Sequence, residues 1–358
     1  MMETAASLAS RTRRFLSPLA KSALIRCDKD FHTLFLMRCL FHLQQNVPRF
    51  CGLRADGEGF FVCRGNLWAG MIRNRERKWT GLSRTVTTQS FLDAKQNRRK
   101  IAMLTAYDYA MAKIVDGSGI DAVLVGDSLG MVVQGHDSTL EVTMDDMAYH
   151  CACVARGLQH ALLVCDMPFL SCHVGLEEAV RNAGRLVQQS KADAVKLEGG
   201  IGMADTVKAI VRAQIPVMGH IGLTPQSVRL IGGYKVQGKD EAKARGLIED
   251  ALALEDAGVF SIVLEAVPEG LAKIITEKVS VPTIGIGAGR YCDGQVLVVH
   301  DLLGMYDAFV PKFVKQYAHL GGLIAEAVSA YARDVREGRF PEQKHTFSAG
   351  ESFLEKLY

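Results

Sequence analysis

Four short apolar segments of this chain end on an acidic residue, and this repeat constrains the fold more than any other feature. Short continuous apolar runs are typical of strands buried on both faces in parallel sheets. Converging carboxylates repel one another unless a cation or a proton lies between them. Active sites in α/β proteins form where parallel strands end, so the repeat predicts an enzyme site rich in acids. The four segments are Val123–Asp127, Leu162–Asp166, Ala194–Glu198 and Ser261–Glu265.

Short apolar segments, eight in all including these four, alternate with helical patterns. This alternation predicts an α/β chain folded as a (β/α)₈ TIM barrel. An open doubly wound sheet is the alternative, but it would normally carry a phosphate loop after its first strand. This chain has Thr105-Ala-Tyr-Asp108 there, without glycine. The predicted strands are Ile101–Ala106, Ala122–Val125, Leu162–Cys165, Ala194–Leu197, Val217–Gly219, Ser261–Leu264, Thr283–Ile286 and Val296–Val299. The predicted helices include Met144–Arg156, Glu177–Ser190, Ala204–Ala213, Asp240–Ala257, Glu269–Lys278 and Leu323–Glu337.

Charge divides the chain into a basic leader and a mildly acidic body. Residues 1–90 carry 15 Lys and Arg against 6 Asp and Glu, whereas the remainder carries 27 against 33. Arg-rich, Ser-containing sequence with Glu3 as its only acid before Cys27 is typical of a transit peptide, and it predicts mitochondrial localisation. We expect a poorly ordered targeting leader at residues 1–87, a catalytic barrel at 88–345 and a C-terminal tail at 346–358.

Composition also indicates which classes of partner and which compartment the chain is suited to. An acidic body argues against nucleic-acid binding, which needs clustered Lys and Arg, and no segment is long and apolar enough to predict a membrane span. The nine Cys residues, without a secretory signal, favour a reducing compartment. Cys151, Cys153 and Cys165 lie in apolar runs and are expected to be buried thiols.

The acids of strands two to four form the first half of a candidate site. Asp127 ends strand two and Asp166 ends strand three, although each also fits a turn or a helix cap. Lys196 and Glu198 lie two residues apart on strand four and so point to the same face, where an ion pair between them is the alternative. Oxygen ligands from Asp127, Asp166 and Glu198, without a Cys/His cluster, favour a hard cation such as Mg²⁺.

The remaining candidates lie on later strands. Glu265 ends strand six, and His220 ends strand five, where it fits a satisfied core residue as well as a ligand. A metal that chelates an α-keto acid stabilises its enolate, Lys196 offers a positive charge to the substrate carboxylate, and Glu265 is free to remove the α-proton. The glycine-rich segment Gly285–Gly289 predicts a tight loop at the same end of the barrel.

Several motifs together resemble the ketopantoate hydroxymethyltransferase family over residues 88–345. They occur in the family's order, and the leader lies outside them. The motifs are Thr105-Ala-Tyr-Asp, Val125-Gly-Asp-Ser-Leu-Gly-Met, Gly135-His-Asp-Ser-Thr, Lys196-Leu-Glu-Gly-Gly, Gly219-His-Ile-Gly-Leu-Thr-Pro-Gln, Gly232-Gly-Tyr-Lys-Val-Gln-Gly, Leu264-Glu-Ala-Val-Pro and Ile284-Gly-Ile-Gly-Ala-Gly.

The resemblance implies a Mg²⁺-dependent (β/α)₈ enzyme. Its members transfer a hydroxymethyl group from 5,10-methylenetetrahydrofolate to 3-methyl-2-oxobutanoate, giving 2-dehydropantoate on the route to pantothenate and coenzyme A. It also implies a large homo-oligomer, typically of ten subunits. The implied roles are metal contacts from Asp127, Asp166 and Glu198, substrate contacts from Asp127, Ser128, Asp166, Lys196 and His220, and proton acceptance by Glu265.

Two other functions remain as alternatives. A lyase of the phosphoenolpyruvate mutase and isocitrate lyase type shares the barrel and the metal-dependent chemistry, but those enzymes usually carry a Lys-x-Cys-Gly-His loop, which this sequence lacks. A non-catalytic barrel subunit is the second alternative, and the acids at four strand ends argue against it.

Overall fold

The computed structural model, which describes residues 85–305, 310–349 and 357, contains a closed barrel of eight parallel strands. Each strand pairs with the next along the chain, and β8 pairs with β1 to close the barrel. The predicted TIM barrel is therefore confirmed. The strands are β1 (Ile101–Thr105), β2 (Ala122–Val125), β3 (Leu162–Asp166), β4 (Ala194–Glu198), β5 (Val217–Gly222), β6 (Ser261–Glu265), β7 (Thr283–Ile286) and β8 (Gly294–Leu297).

Helices precede and follow the strands, and two of their ends match capping signals in the sequence. Thr143 and Asp146 form the predicted capping box of α4, and Gly258, with φ of +97°, ends α8. The helices are α1 (Thr88–Gln96), α2 (Tyr109–Gly117), α3 (Leu129–Val132), α4 (Met144–Gly157), α5 (Leu176–Ser190), α6 (Ala204–Arg212), α7 (Val228–Ile231), α8 (Glu241–Ala257), α9 (Glu269–Lys278), α10 (Val299–Leu303) and α11 (Leu320–Arg336). Single 3₁₀ turns span Thr139–Glu141, Ile201–Met203, Pro225–Ser227 and Gln343–His345.

The last strand is the clearest error of the sequence-based prediction. Val296–Val299 was expected, but β8 begins at Gly294, and Val299 is already the first residue of α10. A Cβ at Gly294 would lie 2.6 Å from the carbonyl oxygen of Ile101, so close pairing with β1 requires a glycine where the pattern favoured an apolar side chain. The backbone N–H of Val299 donates to Thr105 Oγ1 at 2.9 Å, which helps to fix the start of α10.

Two smaller expectations also differ. The final helix was predicted from Leu323, but α11 begins at Leu320 and contains Gly321, whose N–H donates to the carbonyl of Gly304 at 3.0 Å. A larger side chain at Gly321 would crowd that oxygen. Cys151 and Cys165 are buried as expected, whereas Cys153 is only half-buried.

The barrel interior changes from apolar to charged along the strands. Alternate residues of a strand share a face, and on the interior face polar residues follow apolar ones. The apolar residues are Val164, Ala194, Met218 and Val263. Phe91 of α1 lies edge-on to Phe260 at a ring distance of 5.5 Å and belongs to the same interior cluster. The charged positions nearer the carboxyl ends are Asp166, Lys196, Glu198, His220 and Glu265.

The predicted leader lies almost wholly outside the described residues, as does most of the tail beyond residue 349. The boundaries at 88 and 345, and import into mitochondria, therefore stay predictions. Within the described residues, no helix combines the length and the apolar character that crossing a bilayer requires.

Asp116, near the end of α2, holds the segment that enters β3. Its carboxylate accepts hydrogen bonds from the backbone N–H groups of Gln159, His160 and Ala161 at 2.8–3.3 Å. Burial opposes ionisation, but these backbone bonds lower the pKa of Asp116 below its ordinary value. Asp116→Ala should reduce the free energy of unfolding by about 3 kcal/mol at pH 7, because three backbone donors, of which that of Ala161 is buried, lose their acceptor.

Urea unfolding at several pH values tests this expectation. Because the folded pKa of Asp116 lies below its unfolded value, its ionised form stabilises the fold above pH ~4, and that contribution disappears as the pH falls through the folded pKa. The difference between wild type and variant should therefore shrink on acidification. Asp256→Ala, which removes an exposed partner of Lys208, should change stability little. A loss at Asp116 no larger than at Asp256 would contradict the assignment.

Candidate active site

All the predicted site residues line one cavity of about 710 Å³ at the carboxyl-terminal ends of the strands. We call it the mouth cavity. The strand register brings its residues together around the barrel, because Asp166 lies beside Lys196 and Glu198 beside His220 on neighbouring strands. The predicted residues in its wall are Asp127, Ser128, Asp166, Lys196, Glu198, His220 and Glu265.

Lys196 is a buried cation among the acids. Its Nζ lies 3.0 Å from Asp166 Oδ1 and 3.3 Å from His220 Nδ1, and its side chain is only 6% exposed. Burial would favour the neutral amine, but the charges of Asp166, Glu198 and Asp127 raise the pKa of Lys196 above its ordinary value. Lys196 therefore stays charged, and its ion pair is with Asp166 on β3 rather than the Lys196–Glu198 pair considered from sequence.

His220 lies between two glutamates. Its Nδ1 is 3.4 Å from Glu198 Oε1, and its Nε2 is 3.2 Å from Glu265 Oε2. Burial and the charge of Lys196 oppose protonation, but the hydrogen bonds with Glu198 and Glu265 raise the pKa of His220 to about 9. Burial also disfavours ionisation of Glu198, but His220 and Lys196 lower the pKa of its carboxyl. His220 is thus not merely a satisfied core residue, since it connects two acids of the cavity.

Asp127 lies just beyond the end of β2, and its carboxylate contacts another side chain of the site instead of capping a helix. Its backbone N–H donates to Asp166 Oδ2 at 3.1 Å, and its own Oδ2 accepts from Gln226 Nε2 at 2.8 Å. A Cβ at Gly126 would lie 2.8 Å from Ser128 Oγ. The glycine therefore allows the tight turn that directs Asp127 and Ser128 into the cavity.

Two residues that were not predicted from the sequence hold side chains of the site in place. Gln226, nearly fully buried, donates from its backbone N–H to Glu198 Oε2 at 3.0 Å and from its side chain to Asp127. The hydroxyl of Tyr107 lies 2.8 Å from Ser128 Oγ. Both residues fall inside the motifs that carry the resemblance. No local pattern marks them, because their contacts exist only once separate loops meet.

The acids of this site fit a hard cation by their chemistry. No group of three or more His, Cys, Asp or Glu side chains among residues 85–305 and 310–349 is already arranged to hold a metal. Asp166 is paired with Lys196 and Glu198 with His220. Burial, and then the charges of Asp166 and Glu198, nevertheless raise the pKa of Asp127 well above its ordinary value. Oxygen-only donors that repel one another are a suitable set for a divalent cation.

Apolar residues also line the mouth cavity. Met131 and Val132 of α3 form one side, and Tyr234 and Val236 of the loop between α7 and α8 form another. The glycine loop Gly285–Gly289 also reaches the mouth, as predicted. A Cβ at Gly287, where φ is +66°, would approach the Phe313 ring to 2.7 Å.

Sequence comparison matches this chain to known proteins over the whole barrel. The family model described as ketopantoate hydroxymethyltransferase matches residues 85–343. A 3-methyl-2-oxobutanoate hydroxymethyltransferase from Clostridium beijerinckii is 60% identical over 272 residues, covering 76% of this chain and 99% of that protein. The protein of the same name from Syntrophomonas wolfei is 59% identical over 273 residues, with coverage of 76% and 99%. Among solved structures, 2,3-dimethylmalate lyase, a PEP mutase/isocitrate lyase superfamily member, has a TM-score of 0.48 at 15% identity, covering 76% of this chain and 98% of that one.

Proposed function

The chain belongs to the ketopantoate hydroxymethyltransferase family, and from this we propose that it transfers a hydroxymethyl group from 5,10-methylenetetrahydrofolate to 3-methyl-2-oxobutanoate, giving 2-dehydropantoate. The observation that carries the proposal is the convergence of Asp127, Asp166, Lys196, Glu198 and Glu265 on one cavity. The family match favours this transferase over the lyase and over the non-catalytic barrel.

Mg²⁺ is the proposed cofactor, with Asp127, Asp166 and Glu198 as the residues that hold it. When bound, it would act as a Lewis acid and stabilise negative charge on the substrate oxygens. The mutual repulsion that raises the pKa of Asp127 supports this choice. Gln226 restrains both Asp127 and Glu198, so these two donors are already oriented.

Lys196 and Ser128 are proposed to position the keto acid. The Lys196 ammonium is buried and stays charged, so it attracts the substrate carboxylate strongly in a site of low dielectric. The hydroxyl of Ser128, held by Tyr107, lines the same cavity and offers a hydrogen bond. Asp166 fixes the Lys196 ammonium at 3.0 Å.

Glu265 is the proposed base for the C3 proton of the keto acid. It is the most exposed of the four acids, with 16% of its side chain accessible, and it faces the cavity. His220 Nε2 lies 3.2 Å from its Oε2 and orients that carboxylate. A base has to reach its proton at hydrogen-bond distance, and a preset orientation lowers the cost of doing so.

Proton exchange in D₂O tests this proposal directly. The full chain with Mg²⁺ and 3-methyl-2-oxobutanoate should replace the C3 proton by deuterium, seen by NMR, and should form 2-dehydropantoate once 5,10-methylenetetrahydrofolate is added. Removal of Mg²⁺ by a chelator should stop both. Cleavage of a 2-alkylmalate without folate would instead favour the lyase.

Assembly and location complete the proposal. Helix α11 has no buried residue and exposes an apolar stripe that includes Ile324, Val328 and Tyr331. This stripe supports a homo-oligomer, and the resemblance implies ten subunits.

Mitochondrial import rests on the composition of the leader. A reporter fused to residues 1–90 that stayed in the cytosol would overturn it.

A further inference from the structure

We propose that Gln226 is a positioning residue that makes the cation site selective for Mg²⁺ over Ca²⁺, because it limits Asp127 to binding a cation through one carboxylate oxygen. This inference rests on the proposed cofactor and adds to it the residue that sets its selectivity. Gln226 lies in the 3₁₀ turn Pro225–Ser227 that follows β5, and it is only 7% exposed.

The contacts of Gln226 join segments at the ends of three other strands. Its side-chain Nε2 donates to Asp127 Oδ2 at 2.8 Å and to the carbonyl oxygen of Met167 at 3.0 Å. Its backbone N–H donates to Glu198 Oε2 at 3.0 Å. Asp127 lies after β2, Met167 follows β3 and Glu198 ends β4, so one residue restrains all three segments.

The orientation of the Gln226 amide is decided by its neighbours. The carboxylate of Asp127 and the carbonyl of Met167 are both acceptors, so only the NH₂ end of the amide can face them. Both hydrogens of Nε2 are then used, and one of them is held on Asp127 Oδ2. Hydrogen bonds to charged groups are among the stronger ones, so this contact resists rotation of the Asp127 carboxylate.

The oxygens of the three acids differ in their availability to a cation. Oδ1 of Asp127 has no hydrogen bond or ion pair among the residues that the structure describes. Both oxygens of Asp166 and both oxygens of Glu198 already have partners. These partners are Lys196 and the backbone N–H of Asp127 for Asp166, and His220 and the backbone N–H of Gln226 for Glu198. Asp127 can therefore offer Oδ1 without losing a contact, and Gln226 keeps Oδ2 from joining it.

A carboxylate that offers one oxygen suits Mg²⁺ better than Ca²⁺. Mg²⁺ takes one or two carboxylates in octahedral geometry at about 2.0–2.1 Å and keeps several waters. Ca²⁺ takes about 6–8 oxygens at about 2.3–2.6 Å, and carboxylates often supply two of them. A bidentate Asp127 would have to break its hydrogen bond with Gln226, so the restraint disfavours Ca²⁺ more than Mg²⁺.

Calorimetric titration of the full chain with Mg²⁺ and, separately, with Ca²⁺ tests this inference. Gln226→Met keeps the length of the side chain and the backbone N–H that holds Glu198, but it removes the donor to Asp127. It should raise the dissociation constant of Mg²⁺ about tenfold, because groups that hold metal ligands contribute on this order. The constant of Ca²⁺ should stay within about twofold, since the freed carboxylate offers Ca²⁺ its second oxygen.

A second variant guards against poor folding of Gln226→Met. Gln226→Asn keeps an amide but is one methylene shorter, so its NH₂ group should fall short of Asp127 Oδ2. It should lower the preference for Mg²⁺ over Ca²⁺ as Gln226→Met does. A residue that only stabilised the fold would change the melting temperature in these variants without changing the ratio of the two dissociation constants.

Two controls separate selectivity from stability. Gln237→Met makes the same substitution at a residue whose side chain donates to the carbonyl oxygen of Lys235 at 2.8 Å, away from the three acids. Asp116→Ala loosens the segment that enters β3, at the opposite end of the strand from Asp166. Both controls should bind Mg²⁺ and Ca²⁺ with the wild-type ratio, although Asp116→Ala should melt at a lower temperature.

The outcomes distinguish this inference from the proposed cofactor. If the wild type prefers Mg²⁺ and both Gln226 variants keep that preference, the role of Gln226 is overturned and the cofactor stands. An equal change of the ratio in Asp116→Ala would also overturn it, because the change would then follow any loss of stability. A wild type that binds neither ion would overturn the proposed Mg²⁺ site itself.

Discussion

Glu265→Gln is expected to slow deuterium exchange at C3 of 3-methyl-2-oxobutanoate about 10³-fold, because a positioned general base contributes on this order. Glutamine has nearly the same shape as glutamate but cannot accept the proton. Mg²⁺ and the keto acid should still bind, since the proposed contacts for both come from Asp127, Asp166, Glu198 and Lys196. The measurement is the NMR exchange rate, combined with calorimetry of the keto acid.

The surroundings of Glu265 sharpen this expectation. His220 Nε2 lies 3.2 Å from Glu265 Oε2, and in the variant it faces an amide, so local packing should be preserved. Glu277→Gln is the matched control, because Glu277 lies exposed on α9 and pairs only loosely with Lys273 at 3.9 Å. It should exchange at the wild-type rate. If Glu265→Gln retains more than about a tenth of that rate, the base must be a different group.

The sequence predicted most of the barrel because its strands and helices carry strong local patterns. Lys196 and Glu198 were placed correctly on one face, since a period of two residues decides this without knowledge of the fold. Their partners were not predictable in the same way. Lys196 pairs with Asp166 on the neighbouring strand, a contact that depends on the register between β3 and β4.

The errors have equally specific causes. Strand β8 was misplaced because Gly294 packs against the backbone of Ile101, so a steric need replaced the expected apolar residue. Gln226 was not predicted to be a site residue, because a polar residue after Pro225 fits any loop. Its contacts with Asp127 and Glu198 join segments that are distant in the sequence. Sequence patterns report which way a side chain faces, whereas the site also depends on which loops meet.

Lys196→Met is expected to reduce the free energy of unfolding by about 4 kcal/mol without Mg²⁺, because breaking a buried ion pair leaves uncompensated charge. The Lys196 ammonium is the cation paired with Asp166 at 3.0 Å, and Asp127 and Glu198 also raise its pKa. Lys208→Met is the control, since Lys208 pairs with Asp256 at the surface and should change stability by less than about 1 kcal/mol.

Mg²⁺ should restore part of the stability lost in Lys196→Met. A ligand that binds only the folded state stabilises it by about 2.7 kcal/mol at a hundredfold excess over its dissociation constant. The variant leaves Asp127 and Asp166 with less positive charge nearby, so Mg²⁺ should raise its free energy of unfolding more than that of the wild type. Ca²⁺, which is larger, should stabilise the variant less than Mg²⁺ does. Urea unfolding with and without saturating Mg²⁺ gives both differences. If Mg²⁺ stabilised neither protein, a cation held among these carboxylates would be contradicted, and an equal gain in both would contradict the stronger attraction expected in the variant. Keto acid binding should stay weak even in the presence of Mg²⁺, because the metal neutralises the acids but does not replace the ammonium that attracts the substrate carboxylate.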